Sequence, residues 1–588
     1  TRYWQGRSLA AVRPREARSI LASAFESFSK NGHQVGQLLA ATGVLEALYF
    51  EYDDFSIMDA WLERVSQLMD VQVRARGPEE ELWVQSTIMI AAVTRVPGHR
   101  RLGEAVSQVM ELLREPFDAN LKVGAATMLH EYVHLSANLV VGRMAKDVAR
   151  PLLDSPQLTP YRAVLYWACE GYTSYLFGHY DEALLCFNRS EAIGAIAGLE
   201  ETANHFMVWR GLCERRAGRL DAANATVRRL ERYRLSGGKY FVGTLDFLKA
   251  LIAFDRGNFD FAIREGMAAL KALDVSGQSN SRIALRLINA YMLTAVGRNS
   301  EAAAILEECR IYVTGTIFET SLGAVGLLKA WVAHHCEDRV RRNELIRDAL
   351  ARAQDEGSRA LIRWYPKALE ALLPVALEQS IEPQIARVLI GECKLMPPSA
   401  DVENWPWPVK VYALGRFELL IEGESPTYSR KVPKKVLALL KAIMAFGAQD
   451  VPEQKLLDAL WPDEDGDAAR RSLGATLHRL RKLLANDNAV RQAGGNLTLD
   501  DRSCWVDANA FENRLHHGGD TTEASEAAIP LYRGAFLAQE DAPWAMPMRE
   551  RLRAKFIHAV GKLGVSFEGS NRYENAIDLY ARGIEADN

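Results

Sequence analysis

The sequence predicts a mainly α chain: a long stack of helical hairpins, then a small α+β segment, then more helices. Three observations predict it. Apolar residues recur at three- and four-residue spacing, with sparse prolines, across residues 1–395. Four Gly-led turns in the middle of that region step by 40, 39 and 40 residues. Strand-like segments follow only after a proline-broken stretch at 396–408.

At 588 residues the chain is too long for one compact core, so several domains are expected. The expected divisions are repeats at 1–395, a linker at 396–408, an α+β domain at 409–515 and a helical domain at 516–588. A net charge of −4 excludes a general polyanion binder, so any nucleic-acid contact has to come from a local basic patch. No apolar run is long enough to span a membrane and no leader pattern is visible, so no membrane partner is expected. The seven cysteines are scattered singly from Cys169 to Cys504, without a C-x-x-C pair. This argues against a disulfide framework or zinc ribbon and fits a reducing cytosol, hence a cytoplasmic location. The start at Thr1 and the helix-like ending at Asn588 suggest a piece of a longer protein.

The repeat units begin at Gly178-His179-Tyr180-Asp181-Glu182-Ala183 and Gly218-Arg219-Leu220-Asp221-Ala222-Ala223. They continue at Gly257-Asn258-Phe259-Asp260-Phe261-Ala262 and Gly297-Arg298-Asn299-Ser300-Glu301-Ala302. The glycine ends the first helix, and the Asp or Ser two or three places on is expected to cap the second. The alanine is small enough for close helix packing. Gly171 and Gly211 lie seven residues before the first two turns, and Phe187 fills a later large apolar slot. The pattern resembles tetratricopeptide repeats in the longer-period form of MalT-like regulators. Residues 1–165, for example around Tyr52-Asp53-Asp54-Phe55, read as degenerate units of the same kind. Such stacks form concave surfaces, so a small-molecule or protein effector is expected on the repeats.

After residue 408, Val409–Gly415 and Phe417–Ile421 read as two strands turning at Gly415, with a further turn at 422–424. Helices are expected from Pro433 to Phe446, from Pro452 to Leu460, and from a cap at Asp467 through Leu484. In the third, Leu473, Leu477, Leu480 and Leu484 share one arc. Arg471, Gly474, Ala475, His478, Arg479 and Lys482 lie opposite, with Arg481 at the edge. Small residues beside basic ones suit a helix entering a major groove. Val490–Ala493, Gly494-Gly495 and Asn496–Leu499 read as a hairpin, the wing. Charge is sorted by element: Arg430–Lys441 holds five basic residues and no acid, Arg470–Arg491 six basic residues and one acid, and the stretch between is acidic.

These residues resemble the OmpR-type winged helix of SARP-family regulators. The matching marks are Leu414-Gly415, Val451-Pro452 with Leu456, Leu460-Trp461-Pro462, Arg470 through Leu484, and Phe511. Asn496 stands where the family carries an aromatic in the wing. Leu531–Leu537, Trp544, Arg549–Arg553 and Asn571–Ile577 resemble the bacterial transcriptional activator domain that accompanies it, here truncated at Asn588. The resemblance implies a transcriptional regulator, an activator by preference, that binds double-stranded DNA and recruits RNA polymerase. Carried over by position, it implies base and phosphate contacts from Arg471, His478, Arg479, Arg481 and Lys482, and phosphate clamps from Arg430, Lys431, Lys434, Lys435 and Arg491. No cofactor and no catalysis are expected, and no G-x-x-x-x-G-K-[ST] loop is present.

Two rival readings come from the same residues. One is a helical-repeat scaffold that binds a partner and does not read DNA. The other is a zinc protease through His130-Glu131-Tyr132-Val133-His134, which would place two imidazoles one helical turn apart beside a glutamate. Glu170 is a possible third ligand, but no further histidine follows at the extended spacing. His334-His335 and His516-His517 lack partners at ligand spacing, and Trp405 and Trp407 are expected to pack the linker against a domain.

Overall fold

A computed structural model describes residues 2–235, 238–399, 402–427, 433–517 and 521–587. The chain divides into two compact units, one of residues 1–372 and 381–389, the other of 373–380 and 390–588.

The first unit is a stack of antiparallel helical hairpins, and its described residues form no strand. Helix α1 (Ala119–Ser136) precedes four hairpins: α2 (Pro160–Leu176) with α3 (Tyr180–Ala197), α4 (Glu200–Arg216) with α5 (Leu220–Leu230), α6 (Lys239–Asp255) with α7 (Phe259–Ser276), and α8 (Ser279–Ala295) with α9 (Asn299–Val313). The four predicted glycines all turn the chain between paired helices, with φ of +83°, +77°, +80° and +80°, a conformation costly for any side chain. The four repeat alanines, Ala183, Ala223, Ala262 and Ala302, are completely buried where the paired helices cross. Phe187 is likewise buried, and a Cβ on Gly171 would meet its ring at 3.0 Å.

The capping differs from expectation. The N-cap positions are His179, Arg219, Asn258 and Arg298, directly after each glycine, and of these Asn258 caps with its side chain, accepting from Phe261 N at 3.4 Å. Asp181, Asp221 and Asp260 sit in the first turn, where they offset the helix dipole. The αL glycine closes the first helix so tightly that the second starts two residues later, leaving the aspartates already helical.

The second unit contains all the described strands, in two three-stranded sheets. Strand β1 (Val409–Tyr412) pairs antiparallel with β2 (Glu418–Ile421) and parallel with β6 (Cys504–Val506). Strand β5 (Asn496–Leu499) pairs with β3 (Val451–Pro452) and β4 (Val490–Ala493). Helix α10 (Lys434–Ala445) follows β2, and α11 (Glu453–Leu460) and α12 (Gly466–Leu483) lie between β3 and β4 in sequence. Helix α12 is capped by Asp465, whose carboxylate accepts from Ala468 N at 2.8 Å, and not by Asp467. The sequence reading misses β3 and β6, because two or three residues are too short to show an alternating pattern.

Helix α13 (Asp507–His517) begins at a carboxylate that accepts from the backbone N–H of Ala413 and Leu414 at 2.8 and 2.9 Å, fixing the end of β1. Leu414 bridges to Phe536, and Tyr532 stacks on Phe556 of α14 (Met546–Gly569) at 4.1 Å. Arg549 donates to the carbonyls of Phe536, Leu537 and Glu540 at 2.6–2.8 Å. Helix α15 (Tyr573–Asp587) closes a last hairpin on α14, with Gly564 packed against the ring of Tyr580. Trp405 and Trp407 are buried, and Trp407 donates to the Val402 carbonyl at 2.8 Å.

Candidate nucleic-acid interface

Helix α12 is held from one side. Leu473, Leu477, Leu480 and Leu484 are at most 3% exposed and pack toward α10. That orientation places Arg470, Arg471, Gly474, Ala475, His478, Arg479 and Lys482 in solvent. Neither Gly474 nor any neighbour within 4 Å blocks a close approach to this face. Among the described residues, none of Arg470, Arg471, His478, Arg479 and Lys482 forms an ion pair. Asp467, one turn before Arg471, is the exposed acid on this arc. Arg470, passed over as a contact in the sequence reading, is exposed beside Arg471; its place in the run of basic residues was the available signal.

The other predicted residues divide by their surroundings. Arg481 turns away from the open face: its guanidinium donates to the carbonyl of Val490 in β4, so it ties the helix to the following hairpin. Lys435 donates to the Leu460 carbonyl at the end of α11 and lies 5.0 Å from the ring centroid of Trp461. For both residues a local acceptor takes donors that the resemblance assigns to DNA. Lys434 is exposed, and its side chain forms no hydrogen bond or ion pair among the described residues. Arg491 lies on the hairpin, 56% exposed, with Asp500 3.7 Å away. Gly494 and Gly495, both with positive φ, form the tip of that hairpin. Arg430 and Lys431 lie outside the described residues.

The H-E-x-x-H residues occupy a different setting. His130 and His134 lie one turn apart on α1, both almost fully buried. His130 Nδ1 and His134 Nε2 are each 3.0 Å from the Thr173 hydroxyl, and His134 Nε2 is 3.1 Å from the Cys169 carbonyl. Glu131 accepts from the Cys169 thiol at 3.3 Å. Burial pushes the His130 imidazole down to about 3, so the ring is neutral at physiological pH. Glu170 is paired with Arg150 at 2.7 Å and with Lys146 at 3.5 Å. The described residues contain no group of three His, Cys, Asp or Glu side chains placed to hold a metal ion. His130, Glu131 and His134 form a polar contact between α1 and α2, with both rings against the Thr173 hydroxyl.

Of the other histidines singled out, His335 is exposed and His334 half-buried in the last turn of one helix, and His516 is exposed. No helix of the described residues is long and apolar enough to cross a membrane.

No protein-family model matches the chain. No curated protein matches it either. Among solved structures it is similar to the crystal structure of a Rap protein complexed with competence and sporulation factor, at 9% identity. That similarity covers 61% of this chain and 98% of the other, with a TM-score of 0.43.

Proposed function

We propose that this chain is a DNA-binding transcriptional regulator of the SARP kind, an activator without catalysis of its own. In this reading residues 409–515 are an OmpR-type winged helix, α12 is its recognition helix and the β4–β5 hairpin its wing. Residues 516–588 act as the activator domain toward RNA polymerase, and the tetratricopeptide-like repeats of residues 1–395 sense an effector. The observation that carries the proposal is the exposed face of α12. Arg471, Arg479 and Lys482, with His478 and two small residues, point into solvent without internal counter-ions, on a helix whose opposite face is fixed by four buried leucines. A cluster of exposed cations without internal counter-ions is suited to phosphates and base edges.

The test is fluorescence anisotropy of the full chain on double-stranded DNA from upstream of its own gene. The expected result is saturable, salt-dependent binding that collapses in a folded Arg471/Arg479/Lys482 triple alanine variant. Unchanged affinity in that variant removes the proposal.

A second reading is a helical-repeat interaction scaffold without DNA contact. The specific observation in its favour is the size of the hairpin stack, which is itself a surface for partners. The two readings separate in the same experiment, since a scaffold shows no salt-dependent DNA binding.

A further inference from the structure

The repeat geometry has a chemical consequence inside the first unit. The first helices of the four hairpins, α2, α4, α6 and α8, together with Trp364, line one groove with about 790 Å³ of space free of protein atoms, part of it open to solvent. The cavity proper measures about 70 Å³, so a ligand larger than that extends into the open part of the groove. Its wall is largely aromatic. Tyr172 and Trp209 are 4.6 Å apart by ring centroids, Tyr175 and Trp364 5.5 Å, and Tyr240 and Tyr291 line the same space.

Two arginines enter this wall at consecutive positions. Arg215 is neutralised by Asp255, with contacts of 2.6 and 3.3 Å. Arg216 is not. Its Nη2 donates to the Arg363 carbonyl at 3.0 Å, and the Tyr175 and Tyr180 hydroxyls lie beside it. No carboxylate pairs with it among the described residues, and no acidic side chain lines the groove. Arg216 thus brings a positive charge to the groove wall with no carboxylate beside it, a setting that attracts an anion. The guanidinium fork matches a carboxylate in geometry as well as in charge.

We propose that this groove binds a small monoanion with a flat aromatic body, its carboxylate held by Arg216 and its ring against the Tyr172–Trp209 wall. The inference rests on the sensing part of the function above and is independent of the DNA-binding part.

The test is calorimetric titration of the full chain with 2-naphthoate and with its neutral analogue 2-naphthalenemethanol, repeated in Arg216→Met and Arg215→Met variants. Naphthoate is expected to bind about tenfold more tightly than the alcohol, the scale of one charge-assisted hydrogen-bonded contact. Arg216→Met abolishes that preference without weakening the alcohol, and Arg215→Met keeps it. In the unaltered protein, added salt weakens naphthoate and leaves the alcohol unchanged, a readout that does not depend on how the variants fold. Absence of saturable naphthoate binding, or a preference that survives Arg216→Met, overturns the proposal. DNA anisotropy on the same samples separates the two readings. DNA binding without naphthoate binding overturns the groove alone; naphthoate binding with unaltered DNA affinity supports the groove and removes its sensing role.

Discussion

The Arg481 guanidinium donates two hydrogen bonds to the Val490 carbonyl, from Nε at 3.0 Å and from Nη2 at 2.8 Å. They join the last turn of α12 to the first residue of β4. Because Val490 is buried, its carbonyl has no water to fall back on.

Arg481→Ala is therefore expected to destabilise the second unit by about 1–2 kcal/mol and to loosen the β4–β5 hairpin. Arg479→Ala, on the exposed arc, leaves stability unchanged. Thermal melts with amide hydrogen exchange on the hairpin check both. A wild-type melt and wild-type protection in Arg481→Ala would contradict the clamp.

Among the exposed residues, base and phosphate contacts differ in their salt signature. Arg479→Ala is expected to weaken DNA binding by about 1–3 kcal/mol if the side chain reads a base, with loss of sequence preference. Lys482→Ala, as a phosphate contact, weakens all sequences alike and reduces the slope of log K against log salt by about 0.9. Titrations at several salt concentrations on specific and scrambled DNA distinguish the two, and identical slopes and affinities for both variants and wild type count against this assignment.

The repeat glycines make a prediction about stability. Gly218→Ala forces a side chain into left-handed backbone at φ +77° and is expected to cost about 1 kcal/mol. Gly211→Ala places a Cβ against the buried Leu248 and is expected to cost about 1–3 kcal/mol through overpacking. Denaturant melts of the two variants test the pair. A Gly211→Ala protein as stable as wild type shows that Leu248 can move aside.

His130 gives the first unit a pH dependence with a definite sign. Its folded pKa, about 3, lies below the ordinary 6.5, so the unfolded chain binds more protons between those values. The stabilisation is complete above pH 6.5 and is lost as pH falls toward 3, by up to about 4 kcal/mol. His134, Glu170, Glu131 and Lys146 face the same ring and modulate the shift. His130→Leu is expected to flatten the loss of stability between pH 6 and 4. A variant whose melts fall as steeply as the wild type would show that another group titrates.

Which of these features the sequence carries depends on the range over which each signal acts. The glycine and alanine positions of the repeats are visible because each is set by local sterics: a turn of fixed hand and a helix crossing with no room for a side chain. The burial of Leu473, Leu477, Leu480 and Leu484 is visible for the same reason, since helical periodicity alone puts them on one arc. The short strands β3 and β6 are not visible, because what makes Val451 or Cys504 a strand is its partner, Leu497 or Val409, far along the chain.

The two H-E-x-x-H histidines show a local pattern whose surroundings the fold supplies. Their spacing is that of a zinc helix, and Thr173 from the next hairpin brings its hydroxyl to 3.0 Å from both rings.

By itself, then, the sequence determined the helical hairpins, their period and the charged face of α12, all properties of contacts within about one turn or one repeat. Long-range contacts set that Arg481 and Lys435 hold backbone carbonyls while Arg471, Arg479 and Lys482 stay open, and that Arg215 is neutralised while Arg216 beside it is not. A cation is recognisable from its residue type, but whether it is already satisfied depends on groups that folding brings to it.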